Sequence, residues 1–476
     1  MNIFNYFKDK GIDAPDISFY KKIEEWDSWY RGNVRNFSFY KVYTGQGNYT
    51  RRKRKTLGMA KRVCEDIADL LLNERVKIKV AGEKNKEFAD KILQEAQFWA
   101  KGNEYQERKA YTGTVAYIPY LYDMVVSEEG DVLDAKIGIN YVSAQNIFPV
   151  SWHNGIVTEC IFIFPKTYMR KKYIQIQYHK KEDNGLYVIE NSVIEDTTGS
   201  QTGKELSEEE WKQLKPFRNL SSRLETLSDK PQFVIDKLNI VNNADTDETN
   251  PMGISIYANA IDILKELDNA FDSYDNEFTL GKKRIFVAPE MLKNINGAPA
   301  FDPEDTVFYK LPDDYAEKKD GKTLIEVNME LRTEQHSQAI NDGLNYLSMK
   351  CGFGTNRYRF DKSTGGVKTA TEVISENSDM FRMLRKHEII LDSALKELVR
   401  IILRLGIVTG NNLTEDAEIN IEFDDSIIED KQAERATDRH DVSMGAMQLW
   451  EYRAKWYAED EAKAKASVLK PEETIE

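Results

Sequence analysis

The chain has 476 residues, more than the usual span of one compact domain, so two or more regions sharing interfaces are expected. Its 41% hydrophobic and 31% charged residues exclude a disordered chain, and no apolar run approaches the roughly 20 residues needed to cross a bilayer. The 66 basic residues against 80 acidic ones, a net charge of −14, exclude a protein that grips nucleic acid over its whole surface.

The opening MNIFNYFKDKGIDAPD lacks a basic flank followed by an apolar core, so the chain is expected in the cytoplasm unless it is assembled elsewhere. Cys64, Cys160 and Cys351 lie far apart without a CxxC pair and read as small apolar fillers, not as a disulfide framework or a thiolate metal site. Residues 17 to 48 carry Trp26, Trp29, Tyr30, Phe37 and Tyr40 among mixed charges, which suggests a short helix and then an arm that docks on something. The strongest basic run follows, RRKRK from Arg51 to Lys55. Leu57, Cys64, Ile67, Ala68 and Leu71 then recur at helical spacing, which places the run at the start of an amphipathic helix. Two readings of the run stay open: a solvated or interface face pairing with acidic neighbours, and direct DNA contact.

From Thr112 to Ile194 the pattern turns to alternation. Ile174, Ile176 and Tyr178 interleave with Gln175 and Gln177 ahead of an Asn184, Gly185 turn and the run from Leu186 to Ile189, an antiparallel hairpin. The polar stretch from Glu195 to Pro231 reads as an exposed insertion with one short helix around Trp211. After Pro251 and Gly253, Tyr257, Ile261, Leu264, Leu267, Phe271, Tyr274 and Phe278 recur every three or four residues up to Gly281. That helix also carries Asp262, Glu266, Asp268, Asp272, Asp275 and Glu277 against the single Lys265, a negative face that something must tolerate.

Residues 282 to 332 read as a compact mixed insertion, with strand-like runs at Ile285 and from Leu324 to Val327. A second helix is expected over Thr333 to Lys350. The loop YRFDKSTGGVK from Tyr358 and a helix over 368–405 follow, opened by a Thr369, Glu372 capping box and closed by Gly406 at the C′ position. At about 55 Å that helix calls for a kink or a partner along its length. The tail from Ser426 to Leu469 is helical by composition.

No catalytic motif emerges. Gly321, Lys322 and Thr323 would close a phosphate loop, but its first glycine would fall at Ala316. His387 and Glu388 open a zincin-like pattern whose second histidine position is Leu391. The five histidines show no metal spacing and read as structural. Asp424 and Asp425 read as cap or dipole partners more readily than as cation ligands.

Three segments together resemble the portal proteins of long-tailed phages that infect Gram-positive bacteria: TGGVKTATEVISENSDMFRMLRKHE from Thr364, IEFDDSIIEDK from Ile421 and WEYRAKWYAEDEAKAKA from Trp450. The resemblance implies an α+β portal fold, mainly helical, with an antiparallel β wing, long stem helices and a helical crown, assembled as a twelve-subunit ring at one capsid vertex. It divides the chain into a wing (1–253 and 351–425), stem helices (254–281 and 333–350), a clip (282–332) and a crown (426–476). It implies a virion component, present in the host cytoplasm during assembly, with no enzymatic activity, no cofactor and no membrane. Its partners would be double-stranded DNA passing non-specifically, the large terminase, a head-tail adaptor, and the major capsid and scaffolding proteins.

In that setting the loop 357–367 would face the channel, with Arg357, Arg359, Lys362 and Lys368 making transient phosphate contacts and Gly365 and Gly366 supplying hinge freedom. Those charges could equally pair with a neighbour's acidic stem. The acidic stem face would keep DNA from sticking. Lys282, Lys283, Arg284, Asp313, Asp314 and Glu317 would meet terminase or adaptor. Two alternatives remain: a nucleic-acid-processing enzyme or accessory, and a capsid or scaffold component that lines no channel.

Overall fold

The computed structural model describes residues 3–13, 15–43, 49–73, 75–126, 132–197, 202–281, 284–287, 294–295, 298–299, 308–310, 324–327, 330–355, 357–360, 370–423, 431–457 and 459–468. Near the start, the Asp16 side chain accepts a 2.6 Å bond from the Ser18 amide and so begins the helix Ile17–Tyr30. Phe19, Ile23, Trp26 and Trp29 then line its buried face at helical spacing. The expected arm follows as an antiparallel hairpin of Phe39–Tyr43 with Tyr49–Lys53.

Two larger antiparallel sheets carry the middle of the chain, as the alternation predicts. Ile147–His153, Ile156–Tyr168, Lys171–Lys181 and Tyr187–Glu195 run as a meander, joined at the Asn184, Gly185 turn where Gly185 takes φ +85°. A smaller sheet orders Val234–Lys237, Thr114–Val126 and Val132–Ser143. Against it pack the helix Phe98–Thr112 and the long helix Ala370–Val408. One apolar core joins these layers to the helices Met59–Leu71 and Ile17–Tyr30. The free cysteines Cys64, Cys160 and Cys351 are all buried.

The helix ending at Thr112 is capped by Gly113 at φ +83°, where the backbone passes Gly253 so closely that a Cβ on Gly113 would lie 2.3 Å from the Gly253 carbonyl oxygen. Beyond that contact runs the helix Ile261–Leu280, paired with Thr333–Lys350. Gly343 lets the two approach, since a Cβ there would meet Leu267 at 2.8 Å. From the far ends of this pair leads a small sheet, in which Arg284–Val287 lies between Phe308–Lys310, parallel, and Leu324–Val327, antiparallel. The tail forms the helices Lys431–Ser443, Leu449–Tyr457 and Glu461–Ala466, gathered around buried Tyr452.

Five expectations change. The basic run is a β-strand and its exit, not the start of a helix: charges alternate across the Phe39–Tyr43 partner, and the helix waits until Met59, after Gly58 at φ +69°. The first helix of the pair begins at Ile261, not 254. The Ile256 amide and the Ser255 hydroxyl both bond the Ala110 carbonyl, which holds that stretch against the end of the preceding helix.

The long helix Ala370–Val408 runs past Gly406, which is a packing glycine: a Cβ there would strike Phe88 at 2.6 Å and Leu413 at 2.5 Å. The left-handed glycine that ends it is Gly410. Nor does its second half await a partner, since Leu391, Leu395, Leu398, Ile402 and Leu405 are buried within the chain. The insertion after Glu195 is built rather than loose. Its strands Lys204–Leu206 and Arg223–Glu225 both pair with Tyr187–Glu195, and Trp211 and Phe217 close a second small core with Tyr173, Val193 and Leu206.

Candidate functional site

The helix Ile261–Leu280 carries the negative face, and the structure divides it into three parts. Asp268 and Asp272 are buried under the arm. Asp268 accepts bonds from the Thr56 hydroxyl at 3.0 Å and the Leu57 amide at 2.9 Å, and Asp272 from the Tyr40 hydroxyl at 2.7 Å and the Lys55 amide at 2.8 Å. Burial raises the Asp268 carboxyl above its usual range. Arg52 reaches Asp275 at 3.5 Å, and Arg54 donates to Asn269 while stacking on Phe37 and Tyr40. Within one chain, then, the arm covers the middle of the acidic face, with neutral donors on Asp268 and Asp272 and Arg52 on Asp275.

Asp262 and Glu266, nearer the helix start, stay exposed, with Lys265 reaching back to Asp262 at 3.0 Å. At the other end Glu277 receives the Arg332 backbone amide at 3.1 Å and its guanidinium at 3.1 and 3.0 Å, with His336 at 3.5 Å. The Arg332 bonds hold the Glu277 carboxyl down to about 2. Because Arg332 immediately precedes Thr333, this clamp ties the two helices together where the small sheet departs.

The root of the 357–367 loop is anchored on three sides. Tyr358 is buried, and its hydroxyl donates to Asp66 at 2.8 Å. Asp66 also pairs with Arg62 at 2.8 Å and, more loosely, with Arg357 at 3.7 Å. The Phe360 amide bonds the Asn341 side chain at 2.8 Å, and its ring meets Phe271 and Tyr274 edge-on. Arg357 therefore has a carboxylate partner in its own chain, and Arg359 is exposed beside it. Lys362, Gly365, Gly366 and Lys368 lie outside the described residues.

Between the helix Phe98–Thr112 and the three-stranded sheet sits an ion pair free of solvent. The Lys109 ammonium bonds both oxygens of Asp236, at 2.9 and 3.0 Å, and each residue is 0% exposed. Gln106 donates to Asp236 at 2.8 Å and the Tyr117 hydroxyl adds a 3.3 Å bond. His387 stands nearby on the long helix, accepting from the Asn239 amide at Nδ1; burial, and behind it the Lys109 charge, lowers it to about 3. Among the described residues no group of three or more His, Cys, Asp or Glu is placed to hold a metal, and no helix is long and apolar enough to cross a membrane.

Of the expected partner-binding residues, Arg284 opens the strand Arg284–Val287, while Lys282, Lys283, Asp313, Asp314 and Glu317 lie outside the described residues, as do Thr369, Asp424 and Asp425. Sequence reasoning missed Asp66, Tyr358, Asn341 and Arg332. Asp66 and Tyr358 are 292 positions apart, and no local pattern announces such a meeting. The model of a known family, described as phage portal protein, SPP1 Gp6-like, matches residues 9–449 of this chain. No curated protein matches it.

Proposed function

The chain belongs to the phage portal protein family, and from that premise we propose that it closes into a ring of about twelve copies at one capsid vertex, a cyclic assembly that passes DNA and catalyses nothing itself. On this reading the paired helices 261–280 and 333–350 are the stem, the small sheet between them belongs to the clip, and the 431–466 helices form the crown. Residues 1–253 and 351–425 make up the wing. The clip offers the docking platform for the large terminase and the head-tail adaptor, with capsid and scaffolding proteins around the wing. The loop beyond Phe360 faces DNA, and a channel wall with few free cations would bind it weakly and let it move.

The observation that carries the ring is apolar surface left bare on the stem. Tyr346 and Met349, three residues apart on one helix face, are 55% and 52% exposed, and Phe278 and Leu331 are each 44% exposed at the clip end. Among the described residues nothing lies over these two patches, whereas a neighbouring stem in a ring would cover them. Native mass spectrometry with negative-stain imaging of the purified protein tests the reading. A closed ring of about a dozen subunits with an open bore is the expected result; a stable monomer or dimer at high concentration overturns it.

A further inference from the structure

The stem uses only half of the basic run. In the hairpin, Phe39 stands opposite Lys53 and Lys41 opposite Arg51, so these four share one face, while Tyr40, Arg52 and the following Arg54 turn to the acidic helix. The two faces differ accordingly in exposure: Phe39, Lys41, Arg51 and Lys53 are exposed, and Tyr40, Arg52 and Arg54 half-buried. Among the described residues none of Lys41, Arg51 and Lys53 has an ion-pair partner. Instead the Arg51 guanidinium lies 4.1 Å over the Phe39 ring and the Lys41 ammonium 5.2 Å over Tyr49. Aromatic rings thus position two of the three cations without neutralising them.

We propose that this outward face of the hairpin is a phosphate-binding surface for duplex DNA, carried by different residues from the 357–367 loop. Three uncompensated cations on a chain of net charge −14 form a local reversal of sign, which is where a polyanion settles. The surface is an open two-stranded ribbon, so it suits an extended backbone rather than a single carboxylate held in a pocket. Arg51 and Lys53, two residues apart on one strand, stand about 6.8 Å apart along it, twice the axial rise of about 3.4 Å between phosphates of one DNA strand. The rival occupant is an acidic surface of a second copy of this chain. The inner face of the same hairpin, with the residues just after it, already takes Asp268, Asp272 and Asp275 of its own subunit's acidic helix, which leaves that rival only the two exposed carboxylates of Asp262 and Glu266 on that helix.

The inference stands apart from the ring reading, since it is judged by DNA affinity and the ring by mass and shape. Fluorescence anisotropy of the purified full chain is measured with a duplex of about 30 base pairs, bulky-capped at both ends so that it cannot thread a bore, across about 50–200 mM salt. Replacing Lys41, Arg51 and Lys53 together by Gln should weaken binding about tenfold or more at low salt and flatten the log–log salt slope by roughly 2.7, about 0.9 per lost phosphate contact. Because the inner face is untouched, the thermal midpoint should hold. The single Lys53→Gln variant should show about one third of the slope change, and Arg51→Lys, which keeps the charge, should retain most of the affinity. Affinity and slope unchanged in the triple variant overturn the proposal. A triple variant whose DNA binding is intact but whose oligomer mass changes overturns it in favour of an acidic face on the neighbouring subunit.

Discussion

Lys109 with Asp236, and the arm with Asp268, Asp272 and Asp275, set cations against carboxylates in opposite surroundings. The first pair is dry, doubly bonded and joined by Gln106 and Tyr117. The second is a seam at the surface in which backbone amides and a tyrosine hydroxyl do as much as the arginines. Burial makes an ion pair costly to break singly but of little net worth as a pair, while exposure makes each ionic contact weak and salt-sensitive. The interior network therefore fixes how the helix Phe98–Thr112 lies on the sheet, whereas the arm is held by contacts that can be released one at a time.

The largest expected effect tests the dry side. Asp236→Ala leaves an unpaired ammonium in the core and should cost about 3–5 kcal/mol in urea unfolding, whereas Lys109→Met with Asp236→Leu should recover most of that loss. A double variant as unstable as the single one breaks the account of the network as a charge to be compensated. On the wet side, Asp272→Ala should cost about 1–3 kcal/mol, the penalty of stranding half-buried donors. Hydrogen exchange should then quicken over residues 39–57 while the three-stranded sheet keeps its protection. Equal losses in both places would erase the distinction.

Acid sharpens the comparison further. His179 is buried between Phe162 and Phe233, and burial lowers it to about 3. It stays neutral in the folded chain down to that pH, while the unfolded chain takes up its proton near 6.5. Stability should therefore fall as pH drops from about 6.5 to 3, by up to about 1.4 kcal/mol per pH unit for this group. His179→Leu should remove about half of the combined slope, since His387, also held near 3, contributes over the same window, and an unchanged pH profile would deny it. The smallest effect is at the exposed clamp. Glu277, held at about 2 against an ordinary 4.5, contributes stability present above 4.5 and lost as pH falls toward 2. Arg332→Gln should flatten that limb of a thermal-midpoint profile, and 1 M salt should mimic the substitution in the parent protein.

Where neighbours in sequence decide the structure, the sequence was legible. The Asn184, Gly185 hairpin, the helix Thr333–Lys350 and an aromatic arm that docks all follow from turn chemistry and periodicity. The basic run misled because helical spacing beginning at Leu57 was extended backward over residues whose alternation belongs to a strand partner ten or more positions earlier. Gly406 misled because a glycine needed for close packing and one needed for a left-handed turn look alike in sequence. Of the candidate site, the acidic helix was legible as a pattern, but not which of its carboxylates are covered. Lys109 with Asp236 and Asp66 with Tyr358 were invisible, because only the folded chain brings such distant partners together.

The contact between Gly113 and Gly253 has a mechanical consequence. Two backbones touching without side chains between them leave nothing to compress, so any tilt of the helix beyond would turn about this point. The helix Ile261–Leu280 has 20 residues and is about 30 Å long. A tilt of about 10° that barely disturbs the glycines would carry its far end about 5 Å, one helical turn. Leverage of that kind would turn a small adjustment in the sheet layer into a full step at the Glu277 and Arg332 clamp.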